Sequence, residues 1–244
     1  MSTRALLALA AILFAFTVLL RAPARWLLAT LPPTVECLGP AGTFWSGSCA
    51  RLRVGAASLS QVSWSLHAAP LLLGRIDVDL RSADALAAGT ARVSLRPGGR
   101  LVVTALRAAL PVDAGNLPFF PAGWNGHLEL ALDTIALSAG RLGAIAGTAT
   151  VRGLARRNPP LPFGSYELRF PADSDDARMR GELRDLGGPL AVSGTLSIRN
   201  GHEYLLSGLV AARPEASAEL SKIIEYIGPA DPQGRRAFTL EGSF

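Results

Sequence analysis

Apolar and polar residues alternate with a period of two through most of this chain, in short segments bounded by Gly, Pro, Asn or Asp. In Arg75–Arg81 the residues Ile76, Val78 and Leu80 share one face, and in His127–Asp133 Leu128, Leu130 and Leu132 do the same. Tyr166–Phe170 and Phe238–Phe244 repeat the pattern. Successive side chains of a strand point to opposite sides, so each segment buries one face and wets the other. Strands of a parallel α/β core are buried on both faces and read as continuous apolar runs, so antiparallel sheet is the expectation. The 25 glycines, 17 prolines and 7% aromatic residues fit strands joined by tight turns. Gly89–Val93, Gly147–Val151 and Gly194–Ile198 share a Gly-Thr start and an aliphatic β-branched residue, which marks a recurring strand type in one sheet.

Helical signals are few. Pro214–Ile227 is the best, with Pro214 suited to a first turn, early glutamates at the positive end of the dipole and Gly228 to end it. Its apolar stripe is Leu220, Ile223, Ile224 and Ile227. A shorter helical turn is expected over Val112–Leu117. Arg156–Pro162 is the nearest approach to a linker, and it reads as a turn within a continuous sheet.

The first part of the chain follows a different rule. Ala5–Leu20 is an apolar run of 16 residues, which spans roughly 24 Å as a helix against a hydrocarbon core of roughly 30 Å. By itself it fits either a cleaved signal peptide or a retained anchor. Ala22-Pro23-Ala24 has the small-x-small form of a cleavage site, weakened by Pro23. Arg21 and Arg25 can snorkel, Trp26 suits a membrane interface, and apolar residues resume to Leu31, all of which favours retention. Arg4 on one flank faces Arg21 and Arg25 on the other, so the charges give no orientation. The expected fold is therefore mainly β: a single N-terminal transmembrane helix, then a large, curved antiparallel sheet or sandwich-like domain with one or two short helices. Residues 1–33 form the anchor and juxtamembrane segment, and 34–244 the β-rich domain.

The net charge of +5 comes almost wholly from scattered arginines, with Lys222 the single lysine. Nucleic-acid binding wants clustered basic residues interleaved with aromatics, and that pattern is missing. Cys37 and Cys49 flank a Gly-rich stretch that can fold back as a hairpin. A disulfide there would imply an oxidising compartment, and two buried free thiols are the alternative. His67, His127 and His202 are too dispersed to complete a metal site with them. The sequence has no Gly-x-Ser-x-Gly elbow, His-Glu-x-x-His, phosphate-binding loop or dinucleotide fingerprint, so no enzyme activity, cofactor or small-molecule substrate is expected. His202 falls in an Asn-Gly turn, and Asp173–Asp176 lacks the glycine and distal glutamate of a calcium loop.

One motif exceeds what a turn requires. Gly42, Thr43, Phe44, Trp45 and Gly47 bracket an aromatic pair close to the anchor, which marks an interaction or membrane-proximal element. With Ser-Trp-Ser-Leu at 63–66, the Leu73-Gly-Arg75 step, Gly-Gly-Pro-Leu-x-x-Ser-Gly-Thr-Leu at 187–196 and Asp-x-Gln-Gly-Arg-Arg-x-Phe-x-Leu-Glu-Gly at 231–242, the chain resembles the type II secretion system protein N family over nearly its full length. This family is also called general secretion pathway protein N. The resemblance implies a single-pass inner-membrane protein with a periplasmic β-rich domain. It also implies accessory, non-catalytic work in exporting folded proteins across the outer membrane, in contact with the secretin and inner-membrane platform proteins.

Two other functions compete. A curved sheet rooted in the membrane can cradle acyl chains, because one-faced strands outnumber the helices able to cover them. An outer-membrane barrel, suggested by the alternating terminal strand and Phe244, is disfavoured by the few aromatics and the retained anchor.

Overall fold

Among the described residues, period-two patterning becomes thirteen strands in one antiparallel sheet, each pairing with its neighbours in chain order. They are β1 (Val35–Gly42), β2 (Ser46–Val54), β3 (Ala57–His67), β4 (Ile76–Ala83), β5 (Ala88–Arg96), β6 (Arg100–Pro111) and β7 (Trp124–Ser138). The remainder are β8 (Arg141–Arg156), β9 (Leu161–Phe170), β10 (Met179–Asp185), β11 (Leu190–Arg199), β12 (Glu203–Ala212) and β13 (Arg236–Ser243). The helices whose bounds fall within the described residues are α1 (Ala24–Leu28), α2 (Ala68–Leu71) and α3 (Ala218–Glu225). This computed structural model describes residues 6, 10, 13, 14, 17, 18, 21–28, 34–54, 57–84, 88–112, 123–172 and 179–243. The turn expected over Val112–Leu117, apart from Val112 itself, the Asp173–Asp176 segment, Phe244 and most of the apolar run fall outside them. Among the described residues no helix is long and apolar enough to cross a membrane.

Register separates the two faces. Leu66, Val78, Val93, Val103, Ile135 and Ile145 are successive cross-strand partners from β3 to β8. An opposing row runs through Ser63, Arg81, Thr90, Arg107, Ala131, Thr148, Arg169, Glu182, Thr195, Ser207 and Thr239. Register shifts between Thr90 and Arg92 and between Leu132 and Thr134 flank Ala105, whose φ is 51°. These bulges add twist without mixing the faces. The order is linear, and among the described residues β1 and β13 each have one strand neighbour, so the sheet they form is open rather than a barrel or a sandwich.

A lone sheet can bury its apolar face only by bending over it. Phe170, Met179 and Ile198 form one cluster with Leu142 and Ile145, joining β8 to β11. Those strands lie three places apart in the sheet order, a distance of about 14 Å if the sheet were flat. The Leu142 N–H also donates to Gly201 O in the β11–β12 turn at 2.9 Å, which fixes the bend.

Helices cover the ends of this face. Leu220 of α3 is fully buried and packs with Ile224, Leu161, Leu190 and Val210. At the other end Ala24 of α1 packs with Cys49 and Trp64. Helix α3 begins four residues later than Pro214, because Ser217 caps it by accepting the Leu220 N–H at 3.2 Å. Only half of its expected stripe is buried: Ile223 and Ile227 are 37% and 41% exposed, since the helix touches a single layer. Leu220→Ala should lower equilibrium unfolding stability by about 2–5 kcal/mol. Ile223→Ala should cost well under half as much in the same denaturant titration.

Candidate interaction surfaces

The aromatic motif builds a clasp. Gly42 pairs with Gly47 at the tip of β1–β2, and a Cβ on Gly42 would lie 2.6 Å from Ser46 O. A Cβ on Gly47 would strike the Trp64 ring. These glycines let the hairpin close against Trp64, whose Nε1 donates to Phe44 O at 3.3 Å. Thr43 Oγ1 accepts the Ser46 N–H at 3.2 Å, and Phe44 meets Trp45 edge-on with centroids 5.4 Å apart. The Phe44 N–H donates to Ala22 O at 2.7 Å and Pro23 bridges Thr43, so the motif holds the incoming amino-terminal segment against the sheet. Arg21, Arg25 and Trp26 lie on this segment and are exposed.

Cys37 and Cys49 sit behind the clasp as a disulfide with Cα atoms 5.6 Å apart. Strand pairing lapses at Gly39, Ala50 and Gln61, adjacent positions on β1, β2 and β3. Gly39 and Gln61 have φ values of 65° and 50°. The lapse breaks the alternation of β2, so Cys49 and Leu52 join the same cluster as Cys37 while Ala50 and Arg51 are exposed.

The polar face carries cross-strand pairs of opposite charge. Asp79 lies between His67 Nε2 at 2.8 Å and Arg92 Nε at 2.7 Å. The hydrogen bond from Arg92, opposed by partial burial and helped by His67, lowers the Asp79 carboxyl from 3.8 to about 2. Arg107–Asp133 at 2.8 Å and Arg152–Glu129 at 3.1 Å continue the series. Each exposed pair contributes little alone.

The other motifs are also turn formers. Burial raises the Asp185 carboxyl, but hydrogen bonds from Arg213 and the Val192 and Gly187 N–H groups outweigh it and hold the group below its usual range. Burial, with Asp185 nearby, pushes the Tyr166 hydroxyl up to about 12. Asp231 accepts from the Gln233 N–H at 3.0 Å and the Arg235 N–H at 2.8 Å, closing the turn into β13. His202 caps its own turn, its Nδ1 lying 2.9 Å from Asn200 O. Among the described residues no group of three or more His, Cys, Asp or Glu is placed to hold a metal.

The model of the family described as type II secretion system (T2SS), protein N, matches residues 33–239. The chain belongs to the T2SS protein N family. It is 30% identical over 220 residues to a type II secretion system protein N of Aeromonas hydrophila, covering 87% of this chain and 86% of that protein. It is 24% identical over 236 residues to one from Vibrio cholerae serotype O1, covering 93% and 92%. A Pectobacterium carotovorum relative of the same name is 25% identical over 236 residues, covering 91% and 89%. No solved structure matches the chain. The T2SS protein N match begins just before β1 and ends within β13, so it spans the sheet and leaves Ala5–Leu20 outside.

Sequence reasoning missed the Asp79 pairs and the exposed Leu72 and Leu73, 90% and 76% accessible. Three consecutive leucines in a turn were a visible signal for the latter, whereas the pairs depend on register.

Two measurements follow from this geometry. Asp79 has a depressed folded-state value, so its contribution is present above about 3.8 and is lost as pH falls toward about 2. The stability gap between wild type and Asp79→Asn in a pH series of denaturation midpoints should close over that window. Cys37→Ser should lower unfolding stability by about 2–4 kcal/mol, and a thiol reductant should reproduce the loss in wild type but leave the variant unchanged.

Proposed function

We propose that this protein is a membrane-anchored, non-catalytic interaction component of the type II secretion system. The observation that carries this reading is the family match across the whole sheet. The Cys37–Cys49 disulfide favours an oxidising compartment, here the periplasm, for residues 34–244. Residues 1–33 then anchor the chain in the inner membrane, with Arg21, Arg25 and Trp26 at the interface. The secretin and the inner-membrane platform proteins are the proposed partners. The outer edges of β1 and β13 offer unpaired backbone groups to them, the geometry used in strand addition. Pro40 and the kink at Gly39 blunt the β1 edge, whereas β13 is bridged by Ala230 at Arg236 but has no proline or kink beyond it, which makes Phe238–Ser243 the better docking edge.

A second reading has its own observation. In the apolar row of β5–β8, Val93, Val103, Ile135 and Ile145 are half-buried rather than sealed, which leaves that face open to acyl chains. A photo-crosslinker at Val103 should then capture phospholipid while one at Thr104, on the opposite face, does not. Equal labelling at both positions would remove this reading.

The leading reading is tested by deletion and by capture. Loss of the gene should reduce export of folded substrates, and the tagged full chain should recover secretion subunits from solubilised membranes. Unchanged export together with no recovered subunit would sink it.

A further inference from the structure

The hairpin turns at the clasp end of the sheet carry two properties between them. The β3–β4, β5–β6 and β7–β8 turns lie on the same rim as the β1–β2 tip, because antiparallel neighbours place alternate connections together. The amino-terminal segment reaches the sheet at that rim, through Ala22 and Pro23.

The first property is apolar exposure. Leu72 and Leu73, 90% and 76% exposed, project from a hydrogen-bonded turn in which Leu72 N–H donates to Ala69 O and Leu73 N–H to Pro70 O. Ile76 and Leu95, partners across β4 and β5, add 39% and 40% exposed side chains just behind them. Hydration disfavours such a cluster on a soluble surface.

The second is unpaired positive charge. Arg96 and Arg100 are direct cross-strand partners, an arrangement that repels unless an anion lies between. Arg141 extends the series to the β7–β8 turn. Among the described residues no carboxylate pairs with these three, while neighbouring Arg75 is held by Asp77. Aliphatic tips flanked by arginines match a bilayer surface with anionic headgroups.

We propose that this rim docks onto the anionic phospholipid surface of the membrane that holds the amino-terminal run, inserting Leu72 and Leu73 while Arg96, Arg100 and Arg141 contact phosphate. The docking rests on the anchor reading above. It lays the sheet with its β1–β8 turns against the headgroups and leaves β13 directed to partners.

The test uses the full chain in lipid nanodiscs of phosphatidylcholine with or without phosphatidylglycerol. An environment-sensitive fluorophore is attached through Leu73→Cys, or through Leu186→Cys on the opposite rim. Docking gives a blue shift and a severalfold intensity gain at 73 that needs phosphatidylglycerol, is lost in R96E/R100E, and is absent at 186. Failure of the chain to enter discs overturns the anchor and the docking together. Entry with equal, water-like emission at 73 and 186 overturns the docking alone. So does a signal at 73 that appears only when a second secretion subunit is added, or one that is indifferent to phosphatidylglycerol and to R96E/R100E.

Discussion

The apolar face of the sheet must be buried with no second sheet among the described residues to bury it, and the rest of the architecture follows from that constraint. Thirteen strands paired only with their chain neighbours satisfy the backbone, but they leave one side of aliphatic residues facing outward. Bending resolves this where β8 meets the β11–β12 turn, and the two terminal helices resolve it at the ends. Bulges at Ala105 and around Asp133 concentrate the twist in the middle strands while keeping polar and apolar rows apart.

Such a sheet forms from local pairings, so its two ends are held by different devices. At the start the disulfide and the Trp64 clasp tie β1–β3 to the amino-terminal segment. At the finish Leu220 and the turns closed by Asp185 and Asp231 fix the last strands. Motifs that look functional in the sequence are therefore mostly the joints of the fold. The joints leave open two sheet edges, a half-buried apolar stretch, and a rim bearing Arg96, Arg100 and Arg141.

Strand positions were legible because period-two patterning is a direct image of the pleat, as in Ile76–Leu80 and Leu128–Leu132. The recurring Gly-Thr segments proved to be β5, β8 and β11 of one sheet. Family membership was readable too, since the glycine and aromatic motifs keep their order. Legibility failed at α3, where capping by Ser217 outweighed Pro214 and single-layer contact left Ile223 and Ile227 exposed. The Asp79 pairs and the Arg96–Arg100 pair were hidden because each joins residues on different strands.

By itself the sequence determined an antiparallel, mainly β chain, the faces its strands would bury, and the family to which it belongs. These properties depend on neighbouring residues and on motif order, which one dimension records. Only the tertiary structure decided that the strands make one open sheet, that Cys37 meets Cys49, and that exposed leucines and unpaired arginines gather at the rim where the amino-terminal segment joins. Those outcomes depend on register and on where the sheet bends, and a shift of one residue in pairing would move every side chain to the other face.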